Sequence, residues 1–408
     1  MSEKLTIELT DMAHGGEAVG RHEGRVIFVP AAIAGETVRV ELVQKRSSFA
    51  RARLVEVVTP SAARVTPRCP YFGRCGGCHW QHIAYPAQLE FKRSIAAGQL
   101  RRIAGLQDVP VQETVGADDP WGYRNNVQFH ATRDGLPGFM AALSHNVVPI
   151  EQCLIMHPLL QDLYDSLELE LPGLQRFSLR AGVRTGERMI ILEMEDDEPP
   201  DIEVTLPVSC LLQLAAGTTV TLMGSSHLHE TLGQHTYRIS ATSFFQVNTL
   251  QAERLVEYVC GRLGHDLDAV VDAYCGVGTF SLALASHTRR LVGIEGSASA
   301  LEDARVNAKG LDHLTFLEGV VEDVLPTLEG HFPVVLLDPP RDGLAPRALA
   351  ALLDMRPERI VYVSCDPATL ARDIKGLIAG GYLLRSVTPF DMFPQTYHVE
   401  TVAVLDRA

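Results

Sequence analysis

Two side chains in the C-terminal third of the chain have the types needed for covalent catalysis. Cys365 lies between an apolar stretch that ends at Ser364 and a segment, beginning at Pro367, that is expected to be helical. The positive end of a helix dipole favours the thiolate, which is the nucleophilic form of cysteine. Glu400 begins the last apolar stretch, and its carboxylate suits a general base if folding brings it to Cys365. The alternatives are an inert buried cysteine and a salt-bridged glutamate on an edge strand.

This pair of residues suits methylation of a pyrimidine ring at carbon C5. Addition of a thiolate to C6 converts the ring into an enolate, whose C5 attacks a sulfonium methyl group. The C5 proton must then leave so that the thiolate is eliminated, and this step requires a base. Uracil and cytosine both undergo this chemistry, so the residues alone leave the choice between them open.

Residues at the ends of three predicted strands could bind the methyl donor. Gly276 and Gly278 let the backbone pass close to a ligand, and Glu295 follows Gly276 by nineteen residues, where a carboxylate can accept both hydroxyls of an adenosine ribose. Asp338 is followed by two prolines that hold it toward the same crevice. A nicotinamide-dependent oxidoreductase is a rival, which Ser281 weakens because it replaces the third glycine of the dinucleotide motif.

Three closely spaced cysteines and a distant fourth indicate a metal site. Cys69, Cys75 and Cys78 belong to one turn-rich segment, and Cys153 completes a set of four thiolates. Four thiolates suit zinc or an iron-sulfur cluster. Their spacing differs from that of radical S-adenosylmethionine enzymes, so no radical chemistry is expected. The remaining cysteines other than Cys365 are expected in the core, namely Cys210, Cys260 and Cys275.

Composition indicates an ordinary globular protein with a basic N-terminal part. The 408 residues are 46% hydrophobic and 21% charged, which suits two or three domains. The net charge is −14, yet residues 1–110 hold 15 basic and 10 acidic residues, a local charge of +5. Basic residues at 45, 46, 51 and 53 surround Phe49, which is typical of a surface that stacks bases and tracks a nucleic-acid backbone. A solvated strand face is the alternative.

The pattern of apolar residues argues against secretion and membrane insertion. Residues 1–10 alternate polar and apolar side chains, and no apolar run approaches the length of a membrane span. We therefore expect a cytoplasmic protein whose cysteines stay reduced.

Hydrophobic periodicity predicts three successive structural parts. Glycine-separated strands at 5–9, 25–29, 37–42 and 52–58 predict a small β-barrel, and 86–103 an amphipathic helix. Strands at 126–132, 177–183 and 189–194 predict a mixed central domain. Asn248 is expected to cap a helix, and from residue 268 onward strands alternate with helices, which predicts a doubly wound parallel sheet with an antiparallel pair at its edge. Those strands are expected at 269–274, 291–295, 314–317, 334–338, 360–364, 383–390 and 399–406.

Several motifs, in this order, resemble the RNA uracil-C5 methyltransferases that carry an N-terminal TRAM domain and an iron-sulfur cluster. The resemblance covers nearly the whole chain. The matching motifs are Gly15-Gly16-Glu17-Ala18, Gly24-Arg25-Val26-Ile27-Phe28-Val29-Pro30, Tyr123-Arg124-Asn125, Ser144-His145, Cys153, Phe244-Phe245-Gln246-Val247-Asn248, the glycine turn at 276–278, Asp338-Pro339-Pro340-Arg341, Ser364-Cys365-Asp366-Pro367 and Glu400.

The resemblance implies an α/β protein with a class I, Rossmann-like methyltransferase domain. It implies an OB-like TRAM barrel over residues 1–60 that binds RNA, a mixed α+β central domain over 61–240, and the methyltransferase domain over 241–408. Cys365 would be the nucleophile and Glu400 the base. S-adenosylmethionine would be bound by Gln246, Tyr274, Thr279, Glu295, Asp323 and Asp338. A 4Fe-4S cluster, with zinc as the alternative occupant, would be held by Cys69, Cys75, Cys78 and Cys153.

The implied substrate is a specific uridine in ribosomal RNA or tRNA, bound by a monomer without DNA or membrane partners. The sequence departs from many family members at Asn126, where a basic residue is common, and at Asp366, where asparagine is common. Both changes affect contacts to RNA rather than a reacting group. Three rival functions remain: a cytosine-C5 RNA methyltransferase, a noncatalytic RNA-binding or redox-sensing protein, and the nicotinamide-dependent oxidoreductase.

Overall fold

The computed structural model describes residues 4–132, 136–142, 144–167, 173–196, 198–200 and 206–408. Within these residues the strands form a closed barrel, a seven-stranded central sheet, a two-stranded hairpin and a seven-stranded C-terminal sheet. The predicted succession of barrel, mixed domain and parallel sheet is thereby confirmed.

The N-terminal barrel closes in the strand order β1-β2-β3-β5-β4. One strand, Ala18–His22, was not predicted, because Gly20 and the two polar residues after it interrupt the apolar alternation. Gly20 is required there, since a Cβ atom at that position would lie 2.5 Å from the carbonyl oxygen of Glu8. The strands are β1 Lys4–Met12, β2 Ala18–His22, β3 Arg25–Val29, β4 Thr37–Lys45 and β5 Phe49–Thr59.

A long helix joins the barrel to the C-terminal sheet. Helix α1, Tyr85–Gln99, continues as a wider π-helical turn over Leu100–Ala104 and ends at a left-handed glycine, in agreement with the prediction. Ile95 packs into the barrel core, whereas Leu100 packs into the core of the C-terminal sheet. The helix therefore fixes the barrel relative to the sheet that carries the candidate catalytic residues.

The central sheet has the strand order β12-β11-β10-β9-β6-β7-β8. Its core contains the stacked rings of Phe129 and Phe177, 4.9 Å apart, beneath a short helix. The elements are β6 Asn126–Ala131, β7 Pro137–Met140, β8 Val147–Pro149, α2 Pro158–Asp165, β9 Leu174–Ala181, β10 Arg188–Met194, β11 Ser209–Gln213 and β12 Thr219–Met223.

A hairpin leads from the central sheet into the C-terminal part. Strands β13 (His227–Leu232) and β14 (His235–Ser240) pack with helix α3 (Thr249–Leu263) into the core of the C-terminal sheet. The Asn248 side chain accepts a hydrogen bond from the Gln251 amide at the start of α3, as predicted. Residues 227–240 thus pack with the C-terminal sheet. The boundary between the central and methyltransferase domains at residue 240 stays a prediction.

The C-terminal sheet has the order β17-β16-β15-β18-β19-β21-β20. Strand β21 is antiparallel to both of its neighbours, β19 and β20, so the predicted antiparallel pair is confirmed. Because the five parallel strands end at one edge, the residues that follow them line a common crevice. The strands are β15 Val270–Ala273, β16 Leu291–Glu295, β17 Leu314–Glu318, β18 Val334–Leu337, β19 Arg359–Ser364, β20 Tyr382–Phe390 and β21 Glu400–Arg407. The helices are α4 Thr279–Leu284, α5 Ala298–Asn307, α6 Val321–Val324, α7 Pro346–Met355 and α8 Pro367–Ala379, with 3₁₀ turns at Ala285–His287 and Leu325–Thr327.

Candidate active site

The glycine turn after β15 holds the carboxylate of Glu295. The Gly276 amide donates to Glu295 Oε2 at 3.0 Å, and the Ser297 amide donates to Oε1 at 2.7 Å. Gly276 and Gly278 both have positive φ angles, 56° and 84°, which a glycine adopts without strain. Each Glu295 oxygen keeps a free acceptor position, so the carboxylate is oriented for a ribose and still able to bind one.

Asp272, inside β15, contributes a carboxylate that sequence reasoning did not assign. Its side chain is fully buried, and Oδ2 accepts a hydrogen bond from Ser281, whereas Oδ1 has no partner among the described residues. Burial and then the charge of Glu295 raise the pKa of Asp272 to about 7. The sequence signal that could have identified Asp272 is a charged residue within an otherwise apolar strand, four residues before Gly276.

Asp338, which follows β18, lies close enough to share this charge environment. Burial, followed by the charges of Asp272 and Glu295, raises the pKa of Asp338 to about 7. The structure therefore gathers three carboxylates at the ends of adjacent strands. Such a site favours a ligand that carries positive charge beside an adenosine ribose.

The remaining predicted cofactor residues lie at different depths around the crevice. Tyr274 is half-buried with a left-handed backbone, φ 67°, and burial and then the charge of Glu322 raise its pKa to about 12. Thr279 begins α4, and its carbonyl accepts the Tyr237 hydroxyl at 3.0 Å. Asp323 is exposed and pairs with Arg347 at 2.7 Å. Both acidic residues lie on α6, but it is the charge of Glu322, rather than that of Asp323, that raises the pKa of Tyr274.

Gln246 is carried on a loop, residues 241–247, that is held from two sides. On the central side, Asn125 donates to the Gln246 carbonyl at 3.1 Å. Arg180, a buried residue of β9, donates to the carbonyls of Ser240, Ala241 and Ser243. Between these anchors Phe244 is 71% exposed, so the loop presents an aromatic ring to solvent.

Asp303 of α5 holds the same loop from the methyltransferase side. Its carboxylate accepts the Ser240 amide at 2.8 Å and the Ser243 hydroxyl at 2.6 Å. Helix α5 directly follows β16, the strand that ends at Glu295. The same helix therefore holds the loop with Gln246 and adjoins the proposed ribose site.

Register places Cys365 beside Glu400. Ser364 and Thr401 form the terminal pair of the ladder between β19 and β21. Cys365 and Glu400 are the next residue on each strand, so they lie side by side just beyond that pair, at the crevice end. Glu400 is only 4% exposed, and β21 lies between β19 and β20, so this glutamate is not on an edge strand. Burial and then the charge of Asp338 raise its pKa well above the usual range for a glutamate.

The activation of Cys365 by a helix dipole stays a prediction, and the structure shows which other groups act on the thiol. Asp366 caps α8, and its Oδ1 accepts hydrogen bonds from the amides of Ala368 and Thr369. Burial and then the charge of Glu400 raise the pKa of Cys365 to about 11, while Arg341 lowers it. The thiol is therefore protonated at neutral pH, and Arg341 is the cation available to favour its ionised form.

The four predicted ligand cysteines line one cavity of about 690 Å³ between the barrel and the central sheet. Burial raises the pKa of Cys78 to about 12, and the charges of the other three cysteines add to this effect. A Cβ atom on Gly76 would lie 2.9 Å from the carbonyl of Met140, and the Gly77 amide donates to Cys75 Sγ at 3.4 Å. Among the described residues, no three Cys, His, Asp or Glu side chains are arranged around a single metal ion. The other predicted core cysteines, Cys210, Cys260 and Cys275, are indeed buried.

No helix in the described part of the chain has the length and apolar composition needed to span a membrane.

The strand order, the glycine turn and the carboxylate ending β16 define a class I S-adenosylmethionine-dependent methyltransferase, preceded here by an OB-like barrel. The family model "tRNA (Uracil-5-)-methyltransferase" matches residues 223–324 and 327–408, and the TRAM domain model matches residues 2–55. Two curated relatives are uncharacterized RNA methyltransferases. The one from Gloeobacter violaceus is 38% identical over 446 residues, covering 99% of this chain and 96% of the relative. The one from Listeria innocua is 36% identical over 448 residues, covering 99% and 98%.

A solved structure agrees with these matches. The crystal structure of Pyrococcus abyssi tRNA (uracil-54, C5)-methyltransferase with S-adenosyl-L-homocysteine has a TM-score of 0.77 and 28% identity, covering 98% of this chain and 100% of that one. The chain belongs to the RNA uracil-5 methyltransferase family, whose members use S-adenosylmethionine. This membership decides against a nicotinamide-dependent oxidoreductase and against a noncatalytic protein.

Proposed function

We propose that this protein transfers the methyl group of S-adenosylmethionine to C5 of a specific uridine in structured RNA through a covalent adduct with Cys365. The observation that carries the proposal is the position of Cys365 beside Glu400 at the end of the β19–β21 ladder, next to the carboxylate crevice. A nucleophile, a base and a cofactor crevice at one sheet edge are the parts that this reaction needs.

In the first step the thiol proton of Cys365 passes to solvent, the thiolate sulfur bonds to C6 of the uracil, and the C5–C6 π electrons move toward C5 and O4. The resulting enolate attacks the methyl carbon, and the bonding pair of the carbon–sulfonium bond stays on the cofactor sulfur. Arg341 supports both stages, since its charge lowers the pKa of Cys365 and favours negative charge nearby.

In the second step the ionised Glu400 removes the proton from C5. The electrons of that C–H bond restore the C5–C6 double bond, and the C6–S pair returns to Cys365. Burial and the charge of Asp338 raise the pKa of Glu400, which makes its carboxylate a strong base once ionised, and the charge of Arg341 acts in the opposite direction by favouring the ionised form.

The cofactor would lie along the strand ends. Glu295 would accept the ribose hydroxyls, Asp338 would face the amino group or sulfonium, and Tyr274 and Gln246 would flank the ligand. The three carboxylates support this assignment, because the sulfonium and ammonium groups of the cofactor both carry positive charge.

The four cysteines would hold a 4Fe-4S cluster with a structural role, and zinc is the competing occupant. Their shared cavity, the close passage of Gly76 and the amide donated to Cys75 Sγ all suit a thiolate-bound group. Protein isolated without oxygen and analysed for iron, sulfide and zinc tests this assignment, with four iron and four sulfide per chain expected.

RNA would cross the barrel and the central sheet with its target base turned out of the stack. Unstacking costs about a few kcal/mol, which contacts to the rest of the RNA must offset. The aromatic pair Phe28 and Phe49, with ring centroids 6.0 Å apart, and the neighbouring Arg51 suit such contacts. Such a substrate, whether ribosomal RNA or tRNA, lies in the cytoplasm.

Trapping tests the proposed chemistry. RNA with 5-fluorouridine at the target has no C5 proton to remove, so the wild-type protein should form a stable covalent complex with it. The Cys365→Ala variant should form none, should not methylate RNA and should still bind the cofactor. Turnover on ordinary RNA by Cys365→Ala would overturn the proposal. Comparing methyluridine positions in RNA from cells with and without the protein identifies the target, and a methylcytidine product would favour the cytosine alternative.

A further inference from the structure

The connecting segment, residues 391–398, joins β20 to β21 and ends two residues before Glu400. Phe390 and Glu400 are the last residues paired between these strands, so the segment closes the hairpin at the crevice. Its residues Asp391, Met392 and Gln395 are buried, at 0%, 0% and 3% exposure. The conformation of the connecting segment therefore determines where the chain enters β21 at Glu400.

Five consecutive carbonyls of this segment accept hydrogen bonds from other parts of the molecule. The donors, in the order of carbonyls 391 to 395, are Gln251, Asn248, Lys92, Tyr123 and the two amides of His79 and Trp80. They belong to α3, α1, the start of the central domain and the cysteine-rich turn. A loop bonded in this way is positioned by the whole fold rather than by its own sequence.

Gln395 is the strained residue at the centre of this arrangement. Its φ angle is 68°, a left-handed conformation that a residue with a side chain rarely adopts. Gln88 of α1 holds it reciprocally, since the Gln395 amide donates to Gln88 Oε1 and Gln88 Nε2 donates to Gln395 Oε1, both at 3.1 Å. Such strain persists where the surroundings over-determine the backbone, as they do here.

We propose that Gln395 is a positioning residue for Glu400 in the elimination step. The inference rests on the proposed function, because it assumes that Glu400 removes the C5 proton. The turn at Gln395 sets the path of the chain into β21, and with it the reach of the Glu400 carboxylate to C5. Attack of the cysteine on C6 and the methyl transfer depend on Cys365 and on the bound cofactor. Both are positioned by strands other than β21. Loosening Gln395 should therefore slow only the step that breaks the C6–S bond.

The distinguishing signature is the methylated covalent intermediate. When the base is displaced, methyl transfer to C5 still occurs, but the C5 proton stays and Cys365 remains bonded to C6. The experiment uses the full-length protein, ordinary uridine RNA and S-adenosylmethionine, with denaturing gels to detect protein-bound RNA. We expect Gln395→Gly and Gln395→Ala to accumulate this complex while steady-state turnover falls about tenfold or more. The first methyl transfer per enzyme should change less than about threefold.

Asp266 supplies a matched control. It also has a left-handed backbone, φ 55°, but is exposed near the opposite ends of the strands. Asp266→Gly and Asp266→Ala should turn over like the wild type without trapped RNA. Glu400→Gln should trap RNA as the Gln395 variants do, because it removes the base itself.

Two outcomes would overturn the inference. One is equal loss of first-turnover methyl transfer and steady-state turnover in the Gln395 variants without trapped RNA, which would indicate a merely structural role. The other is normal turnover. If Gln395→Gly does not fold, Gln395→Asn serves instead, since asparagine tolerates a positive φ and keeps a shorter amide, and it too must trap RNA. Failure of the wild type to make methyluridine, or turnover by Cys365→Ala, would refute the proposed function itself.

Discussion

The Nε2 atom of His14 in the barrel lies 3.5 Å from Oδ2 of Asp366, the residue after the candidate nucleophile. The other oxygen of Asp366 caps helix α8 by accepting the amides of Ala368 and Thr369. One carboxylate therefore joins the barrel to the turn that holds Cys365.

Replacing Asp366 by asparagine should make Cys365 more reactive. The charge of Asp366 is the smallest of the causes that raise the pKa of Cys365, and asparagine removes it while keeping the capping oxygen. Alkylation of Cys365 by iodoacetamide at pH 8, followed by mass spectrometry, should accelerate about two- to threefold. The free energy of unfolding should stay within about 0.5 kcal/mol, since both residues cap helices well. Asp354→Asn on α7 is the control, and an unchanged or slower rate would contradict the prediction.

Cofactor binding should depend on pH through Asp272 and Asp338, whose pKa values are raised to about 7. A sulfonium cation favours the ionised carboxylates, so binding of S-adenosylmethionine should release protons near neutral pH. Its affinity should rise about tenfold from pH 6 to pH 8, and that of S-adenosylhomocysteine, whose sulfur is neutral, should rise less. Calorimetry in buffers of different ionisation enthalpy measures the released protons. Asp272→Asn should reduce the release, and equal release for both ligands would refute the idea.

The same two aspartates make a pH-dependent contribution to stability whose sign follows from their raised pKa values. An unfolded aspartate has a pKa of about 4, so between about pH 4 and pH 7 the folded protein holds protons that the unfolded chain has lost. The contribution of Asp272 and Asp338 to the free energy of unfolding should therefore fall as the pH rises through this window. Urea unfolding of the wild type and Asp272→Asn at pH 5 and pH 7 tests the sign, since the variant should lose less stability.

Arg180 should be required for cofactor affinity because it holds the loop with Gln246. Its pKa is lowered to about 10 by burial, so it remains a cation and donates to three carbonyls of residues 240–243. Arg180→Met leaves those carbonyls without their donor and should cost about 3 kcal/mol of stability. It should also raise the Kd for S-adenosylhomocysteine, with Arg180→Lys intermediate. Arg289→Met, which breaks an exposed ion pair with Asp268, should cost less than about 1 kcal/mol.

Lys92 and Asp391 form an ion pair with no exposed surface on either side chain. Removing Lys92 leaves a buried carboxylate whose Oδ2 already lacks a partner among the described residues. Lys92→Met should therefore destabilise the protein by about 3–5 kcal/mol in thermal or urea unfolding. Lys92→Met combined with Asp391→Asn should be more stable than the single variant, because no uncompensated charge remains. A double variant less stable than Lys92→Met would contradict this account.

Much of the C-terminal sheet follows from the sequence because its strands are short apolar runs bounded by glycine, proline and charged residues. That pattern predicted every strand from β15 to β21 and the antiparallel pair at the edge. The strand β2 escaped prediction, since Gly20 is dictated by close approach to the Glu8 carbonyl, a contact between strands. Asp272 was not assigned from the sequence either. Only its proximity to carboxylates on neighbouring strands shows that this single aspartate belongs to the crevice.

The sequence by itself determined the chemical groups: a cysteine before a helix, a glutamate at a strand start, four ligand-type cysteines and a glycine turn. The tertiary structure alone decided what those groups can do. Residues 365 and 400 meet because β19 and β21 pair in one register. The pKa of Cys365 is raised because the thiol is buried and Glu400 lies beside it. Distances and burial depend on packing between elements far apart in the chain, and local residue patterns carry no record of them.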